Sequence, residues 1–466
     1  MKNFHIILWV MKNKMKIAVV GSGISGLSSA WLMSKKHEVS IFEKNNYLGG
    51  HSNTQTIITN YERKKINVDT GFIVFNDLNY PNLKSFFKLL KVDTYESNMS
   101  FSVSMFNKKF EYGGENINSL FAQRKNIFRL EFWIMLRDLV KFYNHASKDI
   151  NSYPDMTIGD YLRLKGYSKA FIYKHLYPMA ASIWSSNIDE VENFPFPAFI
   201  KFFKNHGLLN LKARPKWRTV LNGSRSYINK ILENSKFNVH KSEVVMSVSR
   251  GGKKVYLQTN KKKYIFDQIV LASHPDESLN LLKDPTKSEK LLLSKIKYQK
   301  NTVWLHSDNK FMPKNRKVWS SWNYLDFDRN SKQELCVTYW MNNLQNLSTK
   351  DQIFVSLNLP EPPDKQKMFK KIISHDNQVL GSPAVVATSI REFEGVRDFF
   401  SSASLVFIID TPFMLLFIGV IALIGGKVAL VPLAIVPLVI LVAASVQPLV
   451  KKYSTQTSGH QKGKMG

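Results

Sequence analysis

Residues 16–43 read KIAVVGSGISGLSSAWLMSKKHEVSIFE, and the fold of the N-terminal part can be predicted from them. Its first part, Lys16 to Val20, is a short apolar run that predicts a buried strand. A glycine loop follows, then a helical stretch from Leu27 to about Lys36, and then a second strand from His37 to Phe42 that ends in Glu43. Strand, glycine loop, helix and strand in this order predict the first βαβ unit of a dinucleotide-binding domain.

The loop has the spacing G-x-G-x-x-G, which gives each glycine a separate role. Gly21 permits the tight turn, Gly23 lets the backbone approach a pyrophosphate, and Gly26 lets the helix pack closely on the strand. The free N–H groups at the start of the helix attract phosphate. Glu43 is placed to accept hydrogen bonds from the adenosine ribose. We therefore predict a dinucleotide site whose loop consists of Gly21, Ser22, Gly23, Ile24, Ser25 and Gly26.

A second glycine pair follows soon after Glu43, in the run Gly49-Gly50-His51-Ser52-Asn53-Thr54. This run resembles the second dinucleotide-binding element of the flavin amine oxidase and phytoene desaturase superfamily. An arginine usually follows the glycines there, and the histidine found here is similar to the signature of one bacterial subgroup of predicted FAD/NAD-binding oxidoreductases. The resemblance implies FAD as the cofactor. The residues that it adds to the predicted site are Lys44, Gly49, Gly50, His51 and Ser52.

The resemblance to this subgroup extends over residues 15–375. The segments that carry it are Val68–Asn76, Tyr177–Ser185, Asn205–Leu208, Arg214–Val220, Phe266–Ser273 and Trp319–Tyr324. It implies that the backbone at Val244, in a strand after a helix from Tyr227, contacts the adenine. It also implies an α/β fold in which an α+β substrate domain is inserted into a Rossmann-like FAD-binding domain. The predicted parts are a disordered leader (1–14), FAD-binding segments (15–80 and 216–280), a helical substrate region (81–215) and substrate-domain strands (281–377).

No residue is predicted to be catalytic, since the sequence shows neither a metal-ligand spacing nor a nucleophile elbow. The flavin would then carry the chemistry. The single cysteine, Cys336, lies in an alternating apolar run, which favours a strand residue over a nucleophile. Trp184, Trp217 and Trp322 are predicted to be walls of the core or of a substrate pocket. His206 is either a capped loop residue or an acid–base group.

The formal net charge of the chain is +29. The lysines are scattered along the chain and are not gathered into a stripe with aromatic residues, so we predict no nucleic-acid partner. Compositional bias and attraction to anionic lipid headgroups both remain as explanations of the surplus.

The last part of the chain, residues 378–466, differs from the rest, because it contains no asparagine and has two long apolar runs, Leu405–Ile424 and Val428–Val450. Each has about 20 residues or slightly more, enough to cross a bilayer of about 30 Å. We predict a transmembrane hairpin over 405–450 with both ends in the cytoplasm, as the flanking Arg and Lys residues favour. A buried helical pair is the alternative. Residues 378–466 also resemble a transmembrane fragment of type I secretion ABC transporters, which implies a chimeric chain.

The superfamily ends in a glycine-rich element that closes over the flavin, and no such run follows His375. We therefore expect an FAD-dependent oxidoreductase that acts on an apolar or lipid-like substrate and is impaired by the loss of this element. The rival expectations are a membrane transport component, suggested by the hairpin, and an inactive chimeric product.

Overall fold

The computed structural model describes residues 14–210, 215–327 and 336–378. The chain divides into two compact units, residues 1–387 and 388–466, and the second lies outside the described residues. The predicted hairpin at 405–450 and all but the last residue of the predicted leader also lie outside them. None of the helices within the described ranges combines the length and the apolarity that crossing a bilayer requires.

Runs of strands and runs of helices follow one another along the described residues. The strands are β1 (Lys16–Val20), β2 (Glu38–Glu43), β3 (Thr54–Ile58), β4 (Lys65–Asp69), β5 (Val74–Asn76), β6 (Thr94–Ser97), β7 (Phe101–Met105), β8 (Phe110–Gly113), β9 (Trp217–Val220), β10 (Asn238–Lys241), β11 (Val245–Gly251), β12 (Lys254–Thr259), β13 (Lys263–Phe266), β14 (Gln268–Leu271), β15 (Lys297–His306), β16 (Trp322–Leu325), β17 (Cys336–Trp340), β18 (Phe354–Leu357) and β19 (Met368–Gln378). The α-helices are α1 (Ile24–Met33), α2 (Pro81–Leu90), α3 (Ile117–Leu120), α4 (Leu130–His145), α5 (Ile158–Leu164), α6 (Lys169–Phe171), α7 (Tyr177–Trp184), α8 (Ile188–Val191), α9 (Phe196–Asn205), α10 (Arg225–Glu233), α11 (Pro275–Leu281), α12 (Lys287–Leu293) and α13 (Met341–Leu344).

A parallel four-stranded sheet in the order β10-β2-β1-β14 carries the dinucleotide motif. Both of its faces are buried, which explains why β1 is a continuous apolar run and not an alternating one. Ile17 and Val19 pack towards α1, α2 and α10. Ala18 and Val20 pack on the other face, against the antiparallel sheet β11-β12-β13. The predicted Rossmann-like α/β fold is confirmed in this part of the chain.

Helix α1 begins earlier than predicted, at Ile24 and not at Leu27, and ends at Met33. The reason is that Gly23 is already its N-cap, since the Leu27 N–H donates to the Gly23 carbonyl at 2.9 Å. The helix therefore starts inside the glycine motif, and its first N–H groups lie directly at the end of β1.

A second, larger layer is formed by a seven-stranded sheet in the order β19-β15-β18-β17-β16-β7-β8. The largest hydrophobic core lies between this sheet and the helices from α4 to α9. Strand β19 pairs with β15 along its whole length and forms one edge of the sheet. A layer of strands and helices therefore lies beside the dinucleotide domain, and its role as an inserted substrate domain stays a prediction.

Two small sheets connect the layers, β3-β4 and β5-β9-β6. The carboxyl end of β4 runs into residues 70–72, and β9 leads back to α10, which packs on α1. These connections bring the segment after β4 and the start of α10 to the carboxyl edge of the parallel sheet.

Candidate functional site

A cavity of about 960 Å³ opens at the carboxyl ends of β1 and β2. In open α/β sheets ligands bind at this edge, and the volume is at the upper end of those known for ligand cavities. Twelve of the thirteen predicted site residues line it, namely Gly21, Ser22, Gly23, Ile24, Ser25, Glu43, Lys44, Gly49, Gly50, His51, Ser52 and Val244.

The first glycine loop uses its three glycines in two ways. A Cβ on Gly21, whose φ is +99°, would lie 2.7 Å from the Ala272 carbonyl oxygen, and a Cβ on Gly26 would overlap the carbonyl oxygen of Gly21. These two glycines therefore serve the packing of α1 between β1 and β14, and Gly26 does not line the cavity. A Cβ on Gly23 would meet no atom within 4 Å. Gly23 instead keeps a space open at the N-terminus of α1, where the helix favours an anion.

Glu43, at the end of β2, is buried and has a fixed orientation. One carboxylate oxygen accepts from the Ser22 N–H at 3.0 Å and from its hydroxyl at 2.6 Å, and the other accepts from the Asn45 N–H at 2.9 Å. A carboxylate has about four acceptor sites. Glu43 therefore holds the glycine loop and keeps acceptor capacity for hydroxyl groups in the cavity.

The second glycine element lies directly on the first. The Gly49 N–H donates to the Ser22 carbonyl at 2.9 Å, and a Cβ on Gly50 would come within 3.0 Å of the Gly23 Cα. The His51 carbonyl accepts from the N–H groups of Asn53 and Phe72, both at 2.9 Å. These contacts fold the run predicted from the sequence into a tight turn that forms the second wall of the space beside Gly23.

Two predicted residues differ from expectation in their surroundings. Lys44 forms an ion pair with Glu277 at 2.7 Å on the cavity rim. Val244 precedes β11 and is not inside a strand, which is a correction of one residue. Its N–H donates to Asn260 Oδ1 at 3.0 Å and its carbonyl accepts from the Asn260 N–H at 2.9 Å. The N–H of Val244 is thus engaged within the protein, and the adenine contact stays a prediction.

The carboxylate of Asp69 accepts several hydrogen bonds beside the cavity. In the sequence, Asp69 stands out only as part of a family-like segment. It is buried, and it accepts from the Thr54 hydroxyl at 2.5 Å and from both the N–H and the hydroxyl of Ser224 at 2.9 and 2.8 Å. Burial raises the pKa of the carboxyl, and the hydrogen bonds from Thr54 and Ser224 oppose that rise. This network fixes the start of α10 to β4, so that Thr70, Gly71 and Phe72 line the cavity.

A second cavity of about 240 Å³ lies beside α9 and β9, in the segments with family-like motifs. His206 lines it and stacks on Phe202 at a centroid distance of 3.9 Å. Its Nδ1 donates to the Phe202 carbonyl at 2.9 Å, which leaves Nε2 as the acceptor of the neutral ring. Burial lowers the pKa of His206. Tyr80 lines the large cavity and contacts His206 edge to face, so the two cavities are neighbours.

The predictions for tryptophan and cysteine agree with the structure. Trp184 lies among phenylalanines of α9 and its surroundings, with centroids 4.9–6.0 Å away, and Trp322 packs on Tyr339. Cys336 is buried at the start of β17, and burial raises the pKa of its thiol. In the described ranges, no group of three or more His, Cys, Asp or Glu side chains is arranged to hold a metal ion.

The fold and site define a Rossmann-like dinucleotide-binding domain, and a family model described as an NAD(P)-binding Rossmann-like domain matches residues 19–90. The chain is 58% identical over 40 residues to the 4,4'-diapophytoene desaturase (4,4'-diaponeurosporene-forming) of Staphylococcus aureus. That match covers 8% of this chain and only 8% of the length of the relative.

Two solved structures are similar over most of the described fold. One is a protein from Exiguobacterium sp. 255-15 provisionally named protoporphyrinogen oxidase, with a TM-score of 0.55, 14% identity, and coverage of 78% of this chain and 86% of that one. The other is the CLA-producing fatty acid isomerase of P. acnes, with a TM-score of 0.50, 14% identity, and coverage of 76% and 79%. At these identities the likeness shows the fold. The predicted cofactor, FAD, is borne out by the comparisons, and the open space at Gly23 beside the buried Glu43 fits its pyrophosphate and ribose.

Proposed function

We propose that this chain is an FAD-dependent oxidoreductase, resembling flavin amine oxidases and desaturases, that acts on an apolar or lipid-like substrate. The observation that carries the proposal is the cavity of about 960 Å³, because its walls are the two interlocked glycine elements and the buried Glu43. The family-model match over residues 19–90 supports the same domain.

The residues of the chain would divide the binding of FAD between them. The N–H groups at the start of α1 would donate to the pyrophosphate across the space beside Gly23. Glu43 would accept from the ribose, and Gly49 to Ser52 would cover the diphosphate from the other side. Bound FAD would accept a hydride from a substrate carbon.

Aromatic and aliphatic side chains would exclude water on the substrate side. Phe72 and Tyr80 line the cofactor cavity. Tyr80 also contacts His206, which together with Trp217 lines the smaller cavity. We propose that the substrate approaches along this side, where the neutral His206 is a proton acceptor. The desaturase and fatty acid isomerase named above support an apolar substrate class, as does the aromatic content of these walls.

The test uses the full chain reconstituted with FAD under anaerobic conditions. Bleaching of the oxidised flavin spectrum by a long-chain unsaturated fatty acid or hydrocarbon, and not by a short aliphatic diamine, is expected. Bleaching by the diamine alone, or by neither compound, would contradict the proposed substrate class. Failure to bind FAD would contradict the function itself.

The other expectations for the chain concern residues 378–466. A membrane anchor at 405–450 and a likeness to a transporter fragment fall outside the described residues and stay predictions. No observation in the described part of the chain favours transport as a second function.

A further inference from the structure

An exposed apolar surface lies at the start of α4. Phe128 is 88% exposed, Leu130 is 74% exposed and Trp133 is 48% exposed. We call this surface, from Arg124 to Val140, the α4 face. Soluble proteins expose single apolar residues routinely, but a contiguous group of large ones marks a binding surface.

The α4 face has a defined shape and is not the side of a loose loop. The turn before the helix is held by buried Asn126, whose side chain donates to the Glu111 carbonyl at 3.0 Å and accepts from Arg129 at 3.1 Å. Trp133 is held by a hydrogen bond from Nε1 to the Ile127 carbonyl at 2.8 Å. Its apolar ring surface therefore stays at the surface of the protein.

The helix presents this face because its opposite face is in the core. Phe132, Met135 and Phe142 are fully buried in the large hydrophobic cluster. Positions three and four residues apart lie on one side of a helix. The outward stripe therefore consists of Leu130, Trp133, Arg137, Val140 and Asn144, which are all exposed.

The charge around these apolar side chains is positive. The basic residues of the α4 face are Arg124, Lys125, Arg129 and Arg137. The two acids of this segment are already paired, Glu131 with Lys174 at 2.5 Å and Asp138 with Arg137 at 2.8 Å. The α4 face thus combines protruding aromatic and aliphatic groups with a surplus of arginine and lysine.

We propose that the α4 face docks on the surface of a bilayer that contains anionic lipids. Tryptophan and phenylalanine with adjacent arginine and lysine form the composition that inserts at the headgroup boundary. Each basic residue close to an anionic leaflet adds attraction, and the formal charge of +29 acts in the same direction. Protein interfaces are also rich in aromatic residues and arginine, so a second copy of the chain is the rival occupant of this face. Docking through this face requires neither bound FAD nor any segment after residue 378.

The experiment places an environment-sensitive fluorescent label on the α4 face of the full chain. Phe128→Cys carries the label, and Tyr61→Cys, at a position 81% exposed in the turn between β3 and β4, is the matched control. Both are made in a Cys336→Ala background. The vesicles are phosphatidylcholine alone or with about a third phosphatidylglycerol. With anionic vesicles we expect a blue shift and quenching by spin-labelled lipid at position 128 and neither effect at position 61.

Because the label reports position, a second membrane contact elsewhere in the chain does not produce the expected difference. No change at position 128, or equal changes at both positions, would overturn the proposal. A change at position 128 that needs no vesicles and grows with protein concentration would show that a second copy covers the face, and would also overturn it.

A charge variant tests the electrostatic part. Arg124→Gln with Lys125→Gln should raise the lipid concentration needed for half of the shift by about 25-fold, at about fivefold per basic residue. Lys287→Gln with Lys290→Gln removes the same charge from exposed positions of α12. This pair should leave the lipid concentration for half of the shift unchanged within about twofold. Equal effects of the two pairs would show that the attraction depends only on the net charge of the protein. That result would contradict docking through this face.

Discussion

Gly23→Ala tests whether the pyrophosphate lies at the N-terminus of α1. A Cβ at this position would meet no protein atom within 4 Å, so the methyl group would enter only the space of the cavity. The backbone tolerates it, since Gly23 has φ −63° and ψ 177°. Alanine is a poorer N-cap than glycine, but it also reduces the freedom of the unfolded chain. The free energy of unfolding should therefore change by less than about 1 kcal/mol.

The effect on FAD should be much larger. The methyl carbon projects about 1.5 Å from the chain and displaces the phosphate from the N–H groups behind it. One hydrogen bond to a charged group contributes about 1.5–3 kcal/mol. Losing one such bond should raise the dissociation constant of FAD by about 10- to 100-fold.

The assay titrates apo-protein with FAD and follows flavin fluorescence, and urea unfolding gives the stability of each variant. Gly114→Ala is the matched control, because it adds the same methyl group outside the site, 3.4 Å from the Phe101 carbonyl. It should leave FAD affinity unchanged. A folded Gly23→Ala protein that binds FAD as tightly as the unsubstituted chain would refute the placement of the pyrophosphate.

Three further predictions concern Glu43, His306 and Cys336. Glu43→Gln should weaken FAD binding and lower the free energy of unfolding by about 1–3 kcal/mol in urea titrations, since an amide N–H₂ replaces an oxygen that accepts from Ser22 or Asn45. Glu38→Gln at the exposed start of the same strand should do neither. Burial lowers the pKa of His306 to about 3, below its ordinary 6.5, so between these two pH values the ring is neutral in the folded chain and protonated in the unfolded chain. Stability is then full above pH 6.5 and falls as the pH drops towards 3. Between pH 6.5 and 4.5 this difference should lower the free energy of unfolding by about 2–3 kcal/mol. His306→Gln should not show this loss when urea unfolding is measured as a function of pH. The thiol of Cys336 is buried with a raised pKa, so a thiol reagent should modify it only when the seven-stranded sheet opens, and rapid modification of the native protein would contradict its placement in β17.

The sequence was sufficient for the parts of the site that depend on local contacts. The glycine spacing and the distance to Glu43 predict a strand, turn and helix that close within 28 residues, and twelve of the thirteen predicted residues line one cavity. The exception, Gly26, has the packing role that its position in the motif predicts. The sequence pattern predicts the start of α1 three residues too late, because Gly23 caps the helix and the helix begins inside the glycine motif.

Contacts between distant segments could not be predicted in the same way. Asp69 meets Ser224 across 155 residues, and the ring of Tyr80 meets His206 across the boundary between the two cavities. Nothing local to either residue signals its partner. The exposure of Phe128 could not be predicted from the sequence either, since a phenylalanine is more often buried. Such features depend on the tertiary packing of whole elements.

The flavin content of the purified full chain after incubation with FAD shows whether the cavity at Gly23 and Glu43 binds this cofactor. We predict a flavin absorption spectrum that persists through gel filtration, with roughly one FAD per chain released on denaturation. A folded protein that emerges without flavin and binds only a nicotinamide dinucleotide would contradict the assignment of the cavity at Gly23 and Glu43 to FAD.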